Sequence, residues 1–357
     1  MTPPNDVQFL ALLVHHGQLP REQAEGLLAE LKRGAALDAL LAERLGWSAP
    51  EIGRLRRTRA GEIPEIPGYE IAARLGAGGT SDVFRAREKK TERVLALKVL
   101  KPAAAANAKT RAAFVSEARL LEKLDHPGLI KGFGVAKSGT LYFSRLECVE
   151  GSTLLELLDG GQSFREDVAL RIVLAAAEVL AYLGEQQVVH RDIKPGNIML
   201  DQNGAVKLID LGFAAESHGG ENAADSAVGT VAYLSPEQAR GGAIADIRSD
   251  IYSLGVTLFH VVVGRLPFES SDDAEVLRMQ VMSSLSSPEL KGRGLSPHLH
   301  YFIEKMMAKE ASVRYQSWEE LIEDIGAQLQ GRESLEFDGD GEAQPRKSAN
   351  RPRRRRF

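Results

Sequence analysis

The run His190-Arg191-Asp192-Ile193-Lys194-Pro195-Gly196-Asn197, followed after a short strand-like stretch by Asp210-Leu211-Gly212, collects the residue types needed to move a phosphoryl group. Asp192 supplies a carboxylate that can orient an attacking hydroxyl. Asn197 and Asp210 supply hard oxygen ligands for Mg2+, and Lys194 supplies positive charge where negative charge builds up. No other simple chemistry needs that set in that order.

Two elements upstream could present a nucleotide to these groups. Leu75-Gly76-Ala77-Gly78-Gly79-Thr80-Ser81-Asp82-Val83-Phe84 is a glycine-rich turn between strand-like runs, where Gly76 and Gly78 let backbone approach phosphate oxygens that a Cβ would obstruct. Val94-Leu95-Ala96-Leu97-Lys98-Val99-Leu100 follows at strand spacing, with one lysine set among apolar residues. A lysine in mid-strand there needs an anionic partner.

The rest of the chain must position these groups. With 357 residues, 43% hydrophobic and 26% charged, it can bury a full core and has room for about two or three domains. A net charge of -4 gives no global reason for nucleic acid or acidic lipid as partner. The single cysteine, Cys148, excludes an internal disulfide and a cysteine-based zinc site and suits a reducing compartment, so the cytoplasm is the expected location. Ile251–Val263 and Ile172–Leu183 are too short and too interrupted to span a membrane, and Met1–Asp6 lacks the basic start and apolar run of a signal peptide.

Four stretches differ in texture. Residues 1–60 are rich in Leu, Ala, Glu and Arg, with helical spacing in Phe9, Leu12, Leu13 and in Leu37, Leu40, Leu41, and predict a small all-α module. Residues 61–68, with Pro64 and Pro67, forbid a continuing helix and read as a linker. Residues 69–330 are strand-rich first and helix-rich later, which predicts a two-lobed α+β domain. Residues 331–357 read as a disordered tail, acidic and then basic in Arg346-Lys347 and Arg351–Arg356; with no aromatic series to stack on bases, the basic part reads as solvated. The helical module carries a degenerate repeat, Leu12–Gln23 echoed by Leu40–Glu51, each copy a Leu-rich helix that ends near a Gly and a second helix that starts near a Pro. It is weakly similar to the N-terminal repeats of type II secretion and pilus ATPases, and docking, dimerisation or regulation are its expected roles.

Taken in order, these motifs resemble the eukaryote-like (Hanks-type) Ser/Thr protein kinases found in bacteria, over roughly residues 69–330. The resemblance implies ATP and Mg2+ as cofactors and protein Ser/Thr hydroxyls as acceptors. It implies that Lys98 holds the α- and β-phosphates with Glu117 as its ion-pair partner, and that Asp192 orients the substrate hydroxyl. Lys194 would stabilise the transferring phosphate, Asn197 and Asp210 would hold the metals, and Thr230 would bond the catalytic aspartate and lysine. Lys194, two residues after the base, and Thr230 both resemble the Ser/Thr pattern and not the tyrosine-kinase one. Adenine would sit under Val83 and Ala96, near Leu75 and Met199, with backbone bonds around Glu147, Cys148 and Val149 and with Leu146 as gatekeeper.

Other residues are expected to support this site. Glu237 should pair with Arg314, Asp250 should brace the catalytic loop, and His190 should lie in an apolar column with Leu121 and Leu211. Ser81 stands where the third glycine of the phosphate loop is usual, and Leu211 where a Phe is usual. Arg145, in an otherwise apolar strand, is expected to face solvent on the alternate side. Arg191 implies control by a loop phosphate; Ser217 and Ser226 are the hydroxyls available, Ser226 the expected site, and Asp225 or Glu221 the alternative source of fixed charge. Two rival classes remain: a pseudokinase scaffold, against which the complete catalytic set argues, and a small-molecule phosphotransferase, against which the Gly229–Glu237 protein-docking segment argues.

Overall fold

The computed structural model describes residues 4–211, 230–241, 245–285, 295–331, 335–337 and 343–345, with Thr230 and the last two stretches described by backbone. Ser217, Glu221, Asp225, Ser226 and the basic tail residues lie outside the described residues. The chain divides into two compact units, residues 1–107 with 133–148 and residues 108–132 with 149–357. The first carries the main sheet and the second is mostly helical, the α+β class expected.

The first unit begins with four helices, α1 (Asp6–His15), α2 (Arg21–Leu31), α3 (Leu37–Leu45) and α4 (Ala49–Arg59). The repeat is visible in their ends. Gly17 follows α1 at φ +67 and Gly46 caps α3 at φ +70, left-handed backbone that glycine adopts without strain, and Pro20 and Ser48 open the second helix of each pair. Phe9, Leu10, Leu13, Leu27, Leu37, Leu40, Leu41 and Ile52 form one core. Leu12, expected inside, is only half-buried, and Leu10 takes its place because the helix turns that position inward. Arg56 of α4 joins α1 and α3 by bonding Asp6 and Asp38, each at 2.6 Å.

Strands β1 (Tyr69–Ala77), β2 (Ser81–Glu88) and β3 (Val94–Leu100) lead to the short helix α5 (Pro102–Ala106). The sheet is completed, after α6 (Ala108–Lys123), by β4 (Gly132–Ser138) and β5 (Leu141–Glu147), in the order β1-β2-β3-β5-β4. Its register separates two faces. Val83 opposes Lys98, Ala96 opposes Leu146 and Lys98 opposes Ser144, so Val83, Ala96, Lys98, Ser144 and Leu146 share one face. The opposite face carries Phe84, Ala86, Leu95, Leu97, Val99 and Phe143, all in one core.

That core includes Ile63 and Ile66 from the segment read as a linker, 5% and 3% exposed. Residues 61–68 are therefore a strap seated on the sheet: proline and glycine deny it regular structure, while its two isoleucines bury apolar area. Charged contacts reinforce the seating. Arg54 pairs with Glu70, Arg57 Nη2 donates to Ala72 O at 3.2 Å, and Arg59 Nη1 meets Glu65 at 2.7 Å. Arg145 opposes Leu97 and so lies on this covered face, near Tyr69 and Glu88. The alternation rule gave its side correctly, but the strap makes that side interior to the unit. Ile66→Ala is expected to cost about 2–4 kcal/mol by thermal or denaturant unfolding, as for other buried aliphatic truncations; a loss under about 0.5 kcal/mol, the scale of an ordinary surface change, would make the strap peripheral.

The second unit holds α6, β6 (Gly151–Thr153), α7 (Leu154–Asp159), α8 (Glu166–Glu185), β7 (Ile198–Asp201) and β8 (Val206–Leu208). Helices α9 (Pro236–Ala239), α10 (Ile247–Val263), α11 (Asp273–Met282), α12 (Pro297–Met306) and α13 (Trp318–Leu329) follow. Helix α10 is buried through most of its length, polar residues such as Ser249, Asp250 and Ser253 included, the pattern of a central helix. Within the segment read as tail, Leu335–Phe337 pairs antiparallel with Ala343–Pro345. No helix among the described residues is long and apolar enough to cross a membrane.

Candidate active site

The loop between α8 and β7 is fixed from below by Asp250 of α10. Its Oδ2 accepts from His190 N at 2.8 Å and its Oδ1 from Arg191 N at 2.7 Å. Burial pushes the Asp250 carboxyl up, against the pull of His190 and Arg191. These two bonds help to hold Arg191 at φ +68, a left-handed conformation that a non-glycine residue adopts only when its surroundings impose it. Gln238 of α9 adds a third restraint, its Nε2 donating to Arg191 O at 3.0 Å. His190 is 1% exposed, as expected of a core residue, and its Nδ1 accepts from Asp192 N at 3.3 Å. Leu121 and Leu211 are also buried.

The chain turned in this way brings Asp192, Lys194 and Asn197 together. Lys194 Nζ donates to both carboxylate oxygens of Asp192, at 2.9 and 2.8 Å. Asn197 Nδ2 donates to Asp192 O at 2.8 Å and to Asp192 Oδ2 at 3.0 Å. The Asp192 carboxylate is thus held in one orientation by two neighbours. With its amide nitrogen committed to Asp192, Asn197 has Oδ1 to offer a cation.

Asp210 reaches the same region through backbone. Strand β8 is held by β7 on one side and by a parallel bridge from Leu208 to Leu129 on the other. Ile209 N then donates to Asn197 O at 3.0 Å, which sets Asp210 beside the Asn197 loop. Asn197 Oδ1 and the Asp210 carboxylate are both oxygen donors, the type a hard divalent cation prefers.

On the sheet, Lys98, Val83, Ala96 and Leu146 share a face, with Leu146 and Ala96 buried and Lys98 half-buried. Gly76 opposes Val83, while Leu75 is 46% exposed. At Gly78 a Cβ would crowd the hairpin, lying 3.1 Å from Ser81 O, the atom that accepts from Gly78 N at 2.8 Å. Lys101, which sequence reasoning passed over, fixes this hairpin by bonding Gly78 O and lying 3.6 Å from Asp82. Glu117 is buried on α6, Met199 is half-buried on β7 opposite Thr153, and Glu147 and Val149 are half-buried at the end of β5 and beyond. Thr230 opens a 3-10 turn, Thr230–Tyr233, and its side chain lies outside the described residues.

The expected pair of Glu237 and Arg314 is present as a two-pronged ion pair, at 2.7 and 2.8 Å, with Ser249 Oγ donating to Glu237 Oε1 at 2.6 Å. Burial disfavours the Glu237 carboxylate, but the bonds from Arg314 and Ser249 overcome it and hold the carboxyl at about 2.

A sequence model of the protein kinase domain matches residues 69–324. The chain belongs to the protein kinase domain family. It is similar to a probable serine/threonine-protein kinase of Streptomyces coelicolor, 33% identical over 271 residues that cover 74% of this chain and 40% of the relative. It is likewise similar to the serine/threonine-protein kinases PrkC of Bacillus subtilis and PknB of Mycobacterium tuberculosis, each 33% identical over 72% of this chain and over 40% and 42% of the relative. The chain therefore spans about two fifths of the length of these relatives. Membership in the kinase domain family implies ATP and a divalent metal as the domain's cofactors. The matched region starts at residue 69, so the likeness of residues 1–60 to secretion and pilus ATPase repeats gains no support from it.

Proposed function

We propose that the chain is an active Ser/Thr protein kinase that transfers the γ-phosphoryl of MgATP to Ser and Thr hydroxyls of proteins. The observation that carries this reading is the Asp192 carboxylate, oriented by Lys194 and Asn197 on a loop that Asp250 holds in place.

Asp192 would accept a hydrogen bond from the acceptor hydroxyl and align its oxygen for attack. Lys194, within reach of that carboxylate, would sit beside the transferring phosphoryl and offset its charge. Asn197 through Oδ1 and Asp210 through its carboxylate are the residues that would hold magnesium, which when bound neutralises charge on the phosphates. Lys98 would hold the α- and β-phosphates with Glu117 as its partner, and Thr230 would bond Asp192 and Lys194. Leu75, Gly76, Gly78, Val83, Ala96, Leu146, Glu147, Val149 and Met199 would receive the nucleotide. We assign the segment Gly229–Glu237 to peptide docking and the helical module to docking or dimerisation, and we place the enzyme in the cytoplasm on its single cysteine.

The test is incubation of the purified chain with radiolabelled MgATP and a generic basic protein, followed by phosphoamino-acid analysis. Phosphoserine or phosphothreonine is the expected product. Phosphotyrosine alone would overturn the specificity, and nucleotide binding without any transfer would leave a scaffold.

A further inference from the structure

Helix α11 carries a glutamine with no place on a surface helix. Gln280 is 0% exposed, and every polar atom of its side chain must find a partner inside the unit or cost stability. Its Nε2 donates to Ala232 O, and its Oε1 accepts from Tyr252 Oη of α10 at 2.6 Å. Tyr252 Oη in turn accepts from Lys309 Nζ at 2.9 Å, and the same ammonium donates to Gln280 O at 2.7 Å.

The direction of this chain is fixed by chemistry. A carbonyl can only accept, so the amide nitrogen of Gln280 must face Ala232 and the amide oxygen must face Tyr252. That amide oxygen can only accept, so the Tyr252 proton points at Gln280, and Lys309, which burial pulls down to about 8, donates to the Tyr252 oxygen. Burial pushes the Tyr252 phenol up, which keeps that proton in place. One arrangement therefore satisfies all four groups.

The far end of the chain is the 3-10 turn Thr230–Tyr233, and its carbonyls find partners of different kinds. Val231 O accepts from Leu234 N within the turn, at 3.3 Å. Tyr233 O accepts from Ser253 Oγ at 2.7 Å, and Tyr233 Oη meets His260 Nδ1 at 2.8 Å. Ala232 O is left to Gln280. A few residues on, Gln238 joins the same segment to Arg191, next to Asp192.

We propose that Gln280 is a positioning residue for protein substrates: by holding the Ala232 carbonyl it fixes the height and tilt of the peptide-docking turn relative to Asp192. This rests on the kinase reading above and on the assignment of that turn to peptide docking. Gln280 touches neither nucleotide nor acceptor and acts through the turn alone. Loss of the bond frees the turn to tilt, so peptide would dock less often in the attacking pose while nucleotide binding goes on as before.

The test compares wild type with Gln280→Glu, Gln280→Met and Tyr252→Phe, using one basic Ser/Thr peptide at saturating MgATP, then varied ATP at saturating peptide. Gln280→Glu keeps an acceptor for Tyr252 and loses the donor to Ala232, whereas Tyr252→Phe keeps Gln280 and loses the hydroxyl that orients it and accepts from Lys309. One buried hydrogen bond corresponds to an effect of up to about tenfold. The expected result is a peptide KM raised about tenfold in Gln280→Glu and Gln280→Met and less in Tyr252→Phe, with the ATP KM within twofold of wild type. Unchanged peptide KM in folded Gln280 variants overturns the inference. So does a parallel loss in both KM values that tracks the melting temperature, since that marks a merely structural role. If the Gln280 variants do not fold, Tyr252→Phe decides by the same split. A wild-type chain that phosphorylates no peptide would sink the kinase reading itself, and this inference with it.

Discussion

Asp192→Asn is expected to lower phosphoryl transfer by about a thousandfold while nucleotide affinity stays within a few-fold, the scale set by loss of a positioned catalytic acid–base group. The substitution is nearly isosteric, so its effect should be chemical. An asparagine oxygen can still accept from Asn197 Nδ2, and the Asn197 bond to the backbone oxygen of residue 192 does not depend on the side chain. What disappears is charge. Lys194 now bonds two carboxylate oxygens at 2.9 and 2.8 Å; a neutral amide removes one of those oxygens and the carboxylate's charge. The amide also cannot take up the proton of an acceptor hydroxyl. The loop itself should remain, because Asp250 holds His190 and Arg191 through backbone N–H groups. Single-turnover transfer from radiolabelled ATP, beside calorimetric titration of nucleotide, separates the two effects. Retention of more than about a tenth of wild-type transfer, far above the range for such a group, would remove Asp192 from the catalytic role.

The grouping of Asp192, Lys194 and Asn197 is legible in the sequence because it is local. Asp192, Lys194 and Asn197 lie within six residues, and the turn that gathers them needs only short-range geometry. The pairing of Glu237 with Arg314 was also anticipated, though 77 residues separate them, because the resemblance supplied the partner. Other features depended on what covers a surface, which periodicity does not report. Arg145 was placed on the correct side of its strand, yet nothing in strand alternation shows that Ile63 and Ile66 occupy that side. The strap itself reads as a linker because Pro64, Pro67, Gly61 and Gly68 dominate its composition, while its two isoleucines carry the packing. Gln280 was invisible for a related reason. A glutamine near the end of a short, largely polar helix looks solvated until the helix and the turn beside it are seen together.

Arg314→Met is expected to cost about 3–5 kcal/mol, the range for removing one partner of a buried ion pair, and to lower the melting temperature by roughly 10 °C. Methionine can fill part of the volume but donates nothing. The Arg314 side chain is 0% exposed, and besides Glu237 it serves the carbonyls of Ala308, Arg248 and Lys309 at 2.8, 2.8 and 3.1 Å. All of these would be left without that donor, next to a carboxylate that has lost its counter-charge. The damage should travel toward the active site. Glu237 is bonded by Ser249, and the next residue, Asp250, holds the catalytic loop, so residual transfer should fall even at temperatures where the variant is folded. A pH series gives an independent reading. Glu237 is held at about 2 in the folded chain against an ordinary 4.5, a depressed carboxyl. Its stabilising contribution is therefore complete above about pH 4.5 and is lost as pH falls from there toward 2. Wild type should lose more stability than Glu237→Gln between pH 5 and about 3, because the amide has no proton to gain. A melting temperature for Arg314→Met within about 2 °C of wild type, under 1 kcal/mol for a domain of this size, would show that the pair is dispensable and that other contacts hold the two segments together.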